Sequence, residues 1–562
     1  MKKFLIILSL LAITAVASQA ASSTFVLDGI HYSVVNDSSV AVTYAVYSEY
    51  YEHTGFRVGT YFNNYQGDIV IPPTVIRNGQ EYTVKSIGSH AFSIISYHLV
   101  EIETACGINY IPDLWGSSET PITSVYIPSS VTSIGEQAFT GCTSLKEVII
   151  PASVTYIGKG AFSGCTSLET VIFEDESKIS FVGGWAFQGT PWLENQQTDP
   201  LVLNSTMVQW RGTADTIPHD VTWIASGACA NLPLKELRIP ATVRNIDEYA
   251  FENAAFESLT IDENNQSLRL KSNAFKDCES LKRMEINAKY CSVDIKLDAE
   301  NDAPVWYGAF TGCSLDSVIF GDSLQTISPI CYNQYDITEI TIPENVKLIE
   351  HDAFALTDFT PHSGKGIKKL NYNAISCDFD YDEMCGIVME ERAIVFSNLR
   401  LEQVIIGEEV RKIPENFLRQ DWTSHSHPLK KITIPAKVDT IGAYAFNNCV
   451  KLESITSLRP EPVEVEPSVF EGVNKQTCVL YVPYSSLSLY RSAPVWKSFL
   501  NIKSIKGDVN GDDHVNVSDV TALINQILGI ESMNTDLADV NGDGRVNVSD
   551  VAALINIIMG LD

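Results

Sequence analysis

The sequence predicts a repeat solenoid of short parallel strands with turns and short helices, followed by a small all-α module. Three observations predict it. A phrase recurs along most of the chain, with Phe139 returning as Phe162 and Pro128 as Pro151, a period of 23 residues. Residues 508–562 carry a different, duplicated pattern, offset by 31 residues. Hydrophobic residues make up 45% of the chain and charged ones only 19%, enough apolar material for a long core.

The 562 residues carry a net charge of -30, which repels phosphate backbones and anionic membranes and so argues against nucleic acid as a partner. The chain opens like a secretory leader. Lys2 and Lys3 precede an apolar run from Phe4 to Val16, too short for a membrane span, and Ser18-Gln19-Ala20 offers a small-residue cleavage site. The organisation expected is a signal peptide over 1–20, an N-terminal β cap over 21–67, the solenoid with insertions over 68–485, a C-terminal cap over 486–505 and the end module over 506–562. A secreted protein of the cell surface or periplasm follows, with no transmembrane segment.

The aromatic-rich stretch from Tyr44 to Tyr65 reads either as capping strands or as a ligand platform. In each repeat, as in Leu145-x-x-Val148-x-Ile150-Pro151, apolar residues fall at strand spacing and proline ends the strand. Val154 and Ile157 form a second short element, Gly158 is placed for a turn, and Ala161-Phe162 fills the core. One copy cannot bury its own apolar face, so copies stack. Cys142, Cys165, Cys278, Cys313 and Cys449 share one register and Cys229 replaces the core Phe, which reads as a column of buried free thiols. Insertions near 101–121, 189–216, 288–305 and 357–400 interrupt the array. His425 and His427 are a close histidine pair without further ligands, and no nucleophile or phosphate-loop motif stands out, so no catalytic residue is assigned and the protein is read as a non-enzyme.

The phrase I-P-x-x-V-x-x-I-G-x-x-A-F-x-G-C closely resembles the BspA-like leucine-rich-repeat family of bacterial surface proteins. The resemblance implies a β cap at Phe25–Tyr32, an inserted hairpin at Gly189–Asn195, and a closing cap at Leu480–Pro483 with Tyr490 and Trp496-Lys497. It also implies adhesion to a protein or glycan ligand.

In the end module, each twelve-residue loop places oxygen-bearing side chains at alternating positions. They are Asp508, Asn510, Asp512, Asn516 and Asp519 in the first loop, and Asp539, Asn541, Asp543, Asn547 and Asp550 in the second. Calcium takes six to eight oxygens, and the backbone carbonyls of His514 and Arg545 are placed to complete each shell, one ion per loop. Val515 and Val546 are expected to pair the loops through a short strand. Two amphipathic helices follow, with stripes Val520, Leu523, Ile524, Ile527 and Val551, Leu554, Ile555, Ile558. Asp513 stands where a turn glycine is expected, which weakens the first site. The duplicated loop and helix resemble a type I dockerin. That resemblance implies a cohesin-like partner reading Val517, Ser518, Val548 and Ser549, positions typically both polar in cellulosomal dockerins. It also supports the alternative of an accessory or catalytic component of a polysaccharide-degrading (glycoside hydrolase) system.

Overall fold

A computed structural model of the chain describes residues 24–44, 46–51, 57–62, 65–104, 107–118, 121–298, 305–356, 366–380, 395–396, 399–420, 427–512, 514–532, 535–559 and 561. The expected leader over 1–20, His425, Asp513 and the aromatic side chains from Tyr47 to Phe62 lie outside the described residues. The chain divides into two compact units, 1–256 with 268–280 and 294–312, and 257–267 with 281–293 and 313–562.

The first unit begins as an antiparallel meander, Thr24–Leu27, Ile30–Asn36 and Ser39–Val42, whose last strand joins Gln80–Ile87 in parallel. From there the pairing between successive coils is parallel. Ser133–Ile134, Tyr156–Ile157 and Phe181–Val182 stack on one side of the coils. Longer strands run on the other side, Gly67–Val70 with Ile122–Tyr126, and Glu147–Ile150 with Thr170–Phe173. Each long strand alternates as the sequence requires, with Val148 and Ile150 buried while Glu147 and Ile149 face out.

The core follows from the repeat. Phe92, Phe139, Phe162 and Phe187 stack with centroids 4.8, 5.0 and 5.4 Å apart and nearly parallel planes. These steps match the strand spacing of about 4.8 Å, so the ring ladder repeats the backbone ladder in side chains. Phe251, Phe275 and Phe310 form a second run at 4.9 and 5.0 Å. The turns are bonded between coils too, since the Phe139 and Phe162 amides donate to the Ala161 and Ala186 carbonyls, both at 2.7 Å. All ten cysteines among the described residues are free and buried. Cys165 and Cys278 donate their S–H to the carbonyls of Phe139 and Phe251, at 3.1 and 3.0 Å, so each thiol ties its coil to the preceding one.

The turn differs from expectation. Left-handed backbone falls on the residue before Ala-Phe, at Gln137, Gly160, Trp185 and Tyr249. Gly158 serves close approach instead, because a Cβ there would lie 2.5 Å from the Glu136 nitrogen and 2.6 Å from the Gly135 carbonyl carbon. Later coils carry side chains at this position, and there Lys271 bridges Asp247 at 2.5 Å.

The insertions also depart from the reading. Gly189–Asn195 is not a hairpin: Pro191–Glu194 is a helical turn capped by the Thr190 hydroxyl, because proline at the first helical position favours it. The hairpin is Leu201–Leu203 with Thr206–Gln209. The 101–121 insertion belongs to a long hairpin, Ile94–Thr104 with Gly107–Ser118, which adds Arg57–Phe62 and Val46–Tyr51 to make a four-stranded antiparallel sheet.

In the second unit the long strands run parallel in groups. Ser258–Ile261, Arg283–Ile286 and Ser317–Phe320 form one group, and Glu339–Ile342, Lys369–Tyr372 and Gln403–Ile406 another. Lys431–Ile434, Ser454–Ser457, Val479–Val482 and Asn501–Ser504 form the last. His427 is a core histidine: the Leu401 amide donates to its Nδ1 at 3.4 Å, and burial pushes its pKa down to about 4. The array is closed by Trp496, which packs on Phe470 at 5.0 Å and donates its indole N–H to the Val463 carbonyl at 2.7 Å. The Ile505 amide still donates to Val482, so only Lys506 and Gly507 separate the last bonded residue of the array from Asp508 of the first loop.

Candidate metal centre and docking face

Two long helices, Val517–Ile527 and Val548–Ile558, with a short one at Thr535–Ala538, build the end module. Their inner faces meet in a core of Val509, Ala522, Leu523, Ala538, Val540 and Leu554. Val515 and Val546 pack against this core, and no strand joins the two loops among the described residues, which corrects the expected pairing. Leu523 and Leu554 anchor the helix stripes as expected, but Ile524 and Ile555 face out.

The loops repeat each other bond for bond near their centres. Asn510 accepts from the Asp512 amide at 2.9 Å, and Asp512 accepts from the His514 amide at 3.0 Å. Asn541, Asp543 and Arg545 make the same two bonds, both at 2.8 Å. Each loop then passes directly into its helix. Asn516 and Asn547 cap the helix starts, accepting from the Ser518 and Ser549 amides at 2.7 and 2.9 Å. Asp519 and Asp550 reach back to the amides of those same asparagines, both at 2.8 Å, completing a capping box. The sequence reading missed this second role, although N-x-x-D opening an apolar run is its signature. Asp519 also takes the Val509 and Asn510 amides at 2.8 and 3.0 Å, so a fully buried carboxylate knots the loop's start to its end.

Calcium fits the first loop. Asp508, Asp512 and Asp519 bring one carboxylate oxygen each to within 4.8 Å of one another, the only such trio among the described residues. Oxygens bound at 2.3–2.6 Å on opposite sides of an ion are about 5 Å apart. The donors are all hard oxygens, with no thiol or imidazole to favour zinc. The second loop holds the same residue types in another arrangement. Asp539 is turned onto its own turn, taking the Gly542, Asp543 and Gly544 amides at 2.9, 3.0 and 2.8 Å.

The module's outer surface is duplicated. Val517 and Val548 are 70% and 72% exposed, Ile524 and Ile555 both 41%, and Leu528 and Met559 66% and 64%. Along each helix and its C-cap residue these side chains are spaced seven and four apart, which puts them on one face. Ser518 and Ser549 stand exposed beside the valines. Two matched apolar stripes on so small a body are unusual for a surface with no partner.

Comparison with known proteins agrees with this anatomy. A model of the BspA type leucine rich repeat region matches in six copies, over residues 79–194, 213–297, 304–384 and 420–490. A model of the dockerin type I domain matches residues 506–559. No curated protein matches the chain. Among solved structures, a leucine-rich repeat protein from Bacteroides ovatus is 20% identical, covering 86% of this chain and 100% of its own, with a TM-score of 0.32. A leucine rich cell surface protein from Faecalibacterium prausnitzii is 19% identical over 86% of this chain and 98% of its own, with a TM-score of 0.27. The pneumococcal vaccine antigen PcpA is 15% identical over 86% and 99%, with a TM-score of 0.27. No helix among the described residues is long and apolar enough to cross a membrane. With its repeat model matched over well over half its length, the chain belongs to the BspA-type leucine-rich-repeat family and carries a type I dockerin domain at its C-terminal end.

Proposed function

We propose that this chain is a secreted, non-catalytic binding protein whose solenoid carries a ligand-recognition surface and whose dockerin domain fastens it, with calcium, to a cohesin-like partner. The observation that carries the reading is the duplicated apolar stripe beside two loops of matching oxygen-bearing residues, the first of which gathers three carboxylates. Asp508, Asn510, Asp512, Asn516 and Asp519, with the His514 carbonyl, would hold one ion. Asp539, Asn541, Asp543, Asn547 and Asp550, with the Arg545 carbonyl, would hold the other. Their part is to fix the loops so that both helices present their outer faces. Val517 and Val548 favour an apolar patch on the partner, with Ser518 and Ser549 as polar neighbours.

The test is capture of the full chain on immobilised cohesin modules, with calcium and with chelator, for the native sequence and a Val517→Asp/Val548→Asp variant. Calcium-dependent capture lost in the variant is expected. Capture that ignores chelator, or ignores the variant, refutes the reading. Reducing-sugar release from a glycan panel would overturn the non-catalytic part.

A further inference from the structure

We propose that an outward row on the long strands of the first unit, Val70, Tyr126, Ile149 and Ile172, is a docking strip for a cationic polypeptide segment with an apolar face. The inference rests on the reading of the solenoid as a ligand-binding body and names the chemistry of its ligand.

The four residues share one register. Val70 pairs with Tyr126 and Ile149 with Ile172 across parallel strands, and Ile149 lies one 23-residue period after Tyr126 on the adjacent strand. They are 65%, 59%, 44% and 44% exposed, each set between two inward neighbours. The fold does not demand apolar residues there. At the same register other coils carry Arg238, Thr260, Glu285, Thr341, Asn371 and Thr433, and the further isoleucines, Ile319 and Ile405, stand singly between polar neighbours. Four successive apolar side chains on an outward face form a contiguous patch of the kind that marks an interaction surface.

Charge selects the occupant. The outward positions flanking the row are mainly acidic: Asp68, Glu147 and, just past its strand, Glu174, against one cation, Lys146, just before its strand. Asp68 is pinned beside the strip by the Ser124 and Thr123 hydroxyls, at 2.6 and 2.9 Å, which also hold its carboxyl below the usual range. Glu174 is fixed by the Ala152 amide at 3.0 Å. The chain as a whole carries -30, so a basic partner is also steered toward it. A glycan would want aromatic faces and hydroxyl partners, whereas three of the four residues here are aliphatic.

The experiment uses the full chain and three synthetic peptides of equal length: a Leu-Lys amphipathic peptide, its Leu-Glu counterpart and a Ser-Lys peptide of the same charge. Binding is read by fluorescence anisotropy for the native chain and a Tyr126→Thr/Ile149→Thr/Ile172→Thr variant, since threonine already occupies this register at Thr341 and Thr433. The Leu-Lys peptide should bind the native chain, and the variant should bind it about tenfold more weakly, as expected for losing some 50 Å² or more of buried apolar contact. Equal binding of Ser-Lys and Leu-Lys, equal binding by the variant, tighter binding of Leu-Glu, or no binding at all would each overturn the strip. Cohesin capture of the same variant, measured alongside, should be unchanged. Cohesin capture by a native chain that fails to bind the Leu-Lys peptide would sink the strip alone and leave the docking reading standing.

Discussion

Phe162→Ala should open a hole in the middle of the ring ladder, and its cost can be worked from the contacts. The side chain is fully buried and lies between Phe139 at 5.0 Å and Phe187 at 5.4 Å. Truncating a buried phenylalanine costs about 3–5 kcal/mol, and two lost ring contacts of about 0.5–1.5 kcal/mol each place this site in the upper half of that range. At about 1.4 kcal/mol per tenfold, amides that exchange through opening of this region should exchange roughly a thousandfold faster. The amides to watch are Phe139 and Gly141, bonded to Ala161 and Ser163, and Phe162 and Gly164, bonded to Ala186 and Gln188. Solenoid coils are coupled mainly to their neighbours, so the Phe251 amide, bonded to Ala274, should change far less. Hydrogen exchange read by mass spectrometry resolves these segments. Unchanged protection around Phe162, or equal loss at Phe251, would refute the reasoning.

Calorimetry should count two calcium ions on the full chain and one after Asp508→Ala or Asp539→Ala; an unchanged count would remove those carboxylates from the ligand set. Gly158→Ala should destabilise the chain by about 1–3 kcal/mol, because the new Cβ meets backbone and not a yielding side chain, and a neutral urea midpoint would contradict the close-packing account. His427, neutral in the folded chain with a pKa near 4, should withdraw stability as pH falls from about 6.5, where the unfolded imidazole starts to take up a proton, and the loss should be complete near pH 4. The ceiling is about 3 kcal/mol, and the difference in urea midpoint between pH 7 and 5 should shrink in His427→Leu. Cys142 and Cys165 should resist alkylation until the chain is unfolded; rapid modification in the native state would show that their column is open.

The array was legible because its information is periodic. The spacing of Val148, Ile150 and Pro151, the ring at Phe162 and the thiol at Cys165 each recur where the backbone needs them, and the structure places each accordingly. Features that depend on three-dimensional neighbours were not legible. Gly158 was read as a turn residue because glycine in a single copy suggests backbone freedom, whereas its reason lies in the preceding coil. Trp185 and Tyr249 hold left-handed backbone where no sequence rule would put aromatic residues. In the dockerin domain the ligand spacing was plain, but Ile524 and Ile555 sit at the boundary of their helical stripes. Only packing decided that Ala522 goes inward and they go outward.

The junction between array and dockerin has a mechanical consequence. With Ile505 bonded to the last coil and Asp508 already in the first loop, there is no tether of the Gly/Ser kind that lets a module search space. A partner gripping the dockerin helices would therefore hold the solenoid's last coils within two residues' reach and narrow the headings open to them. Several such chains on one scaffold would be arrayed within a narrowed range of tilts, and their avidity for a surface would depend on scaffold geometry more than on linker reach.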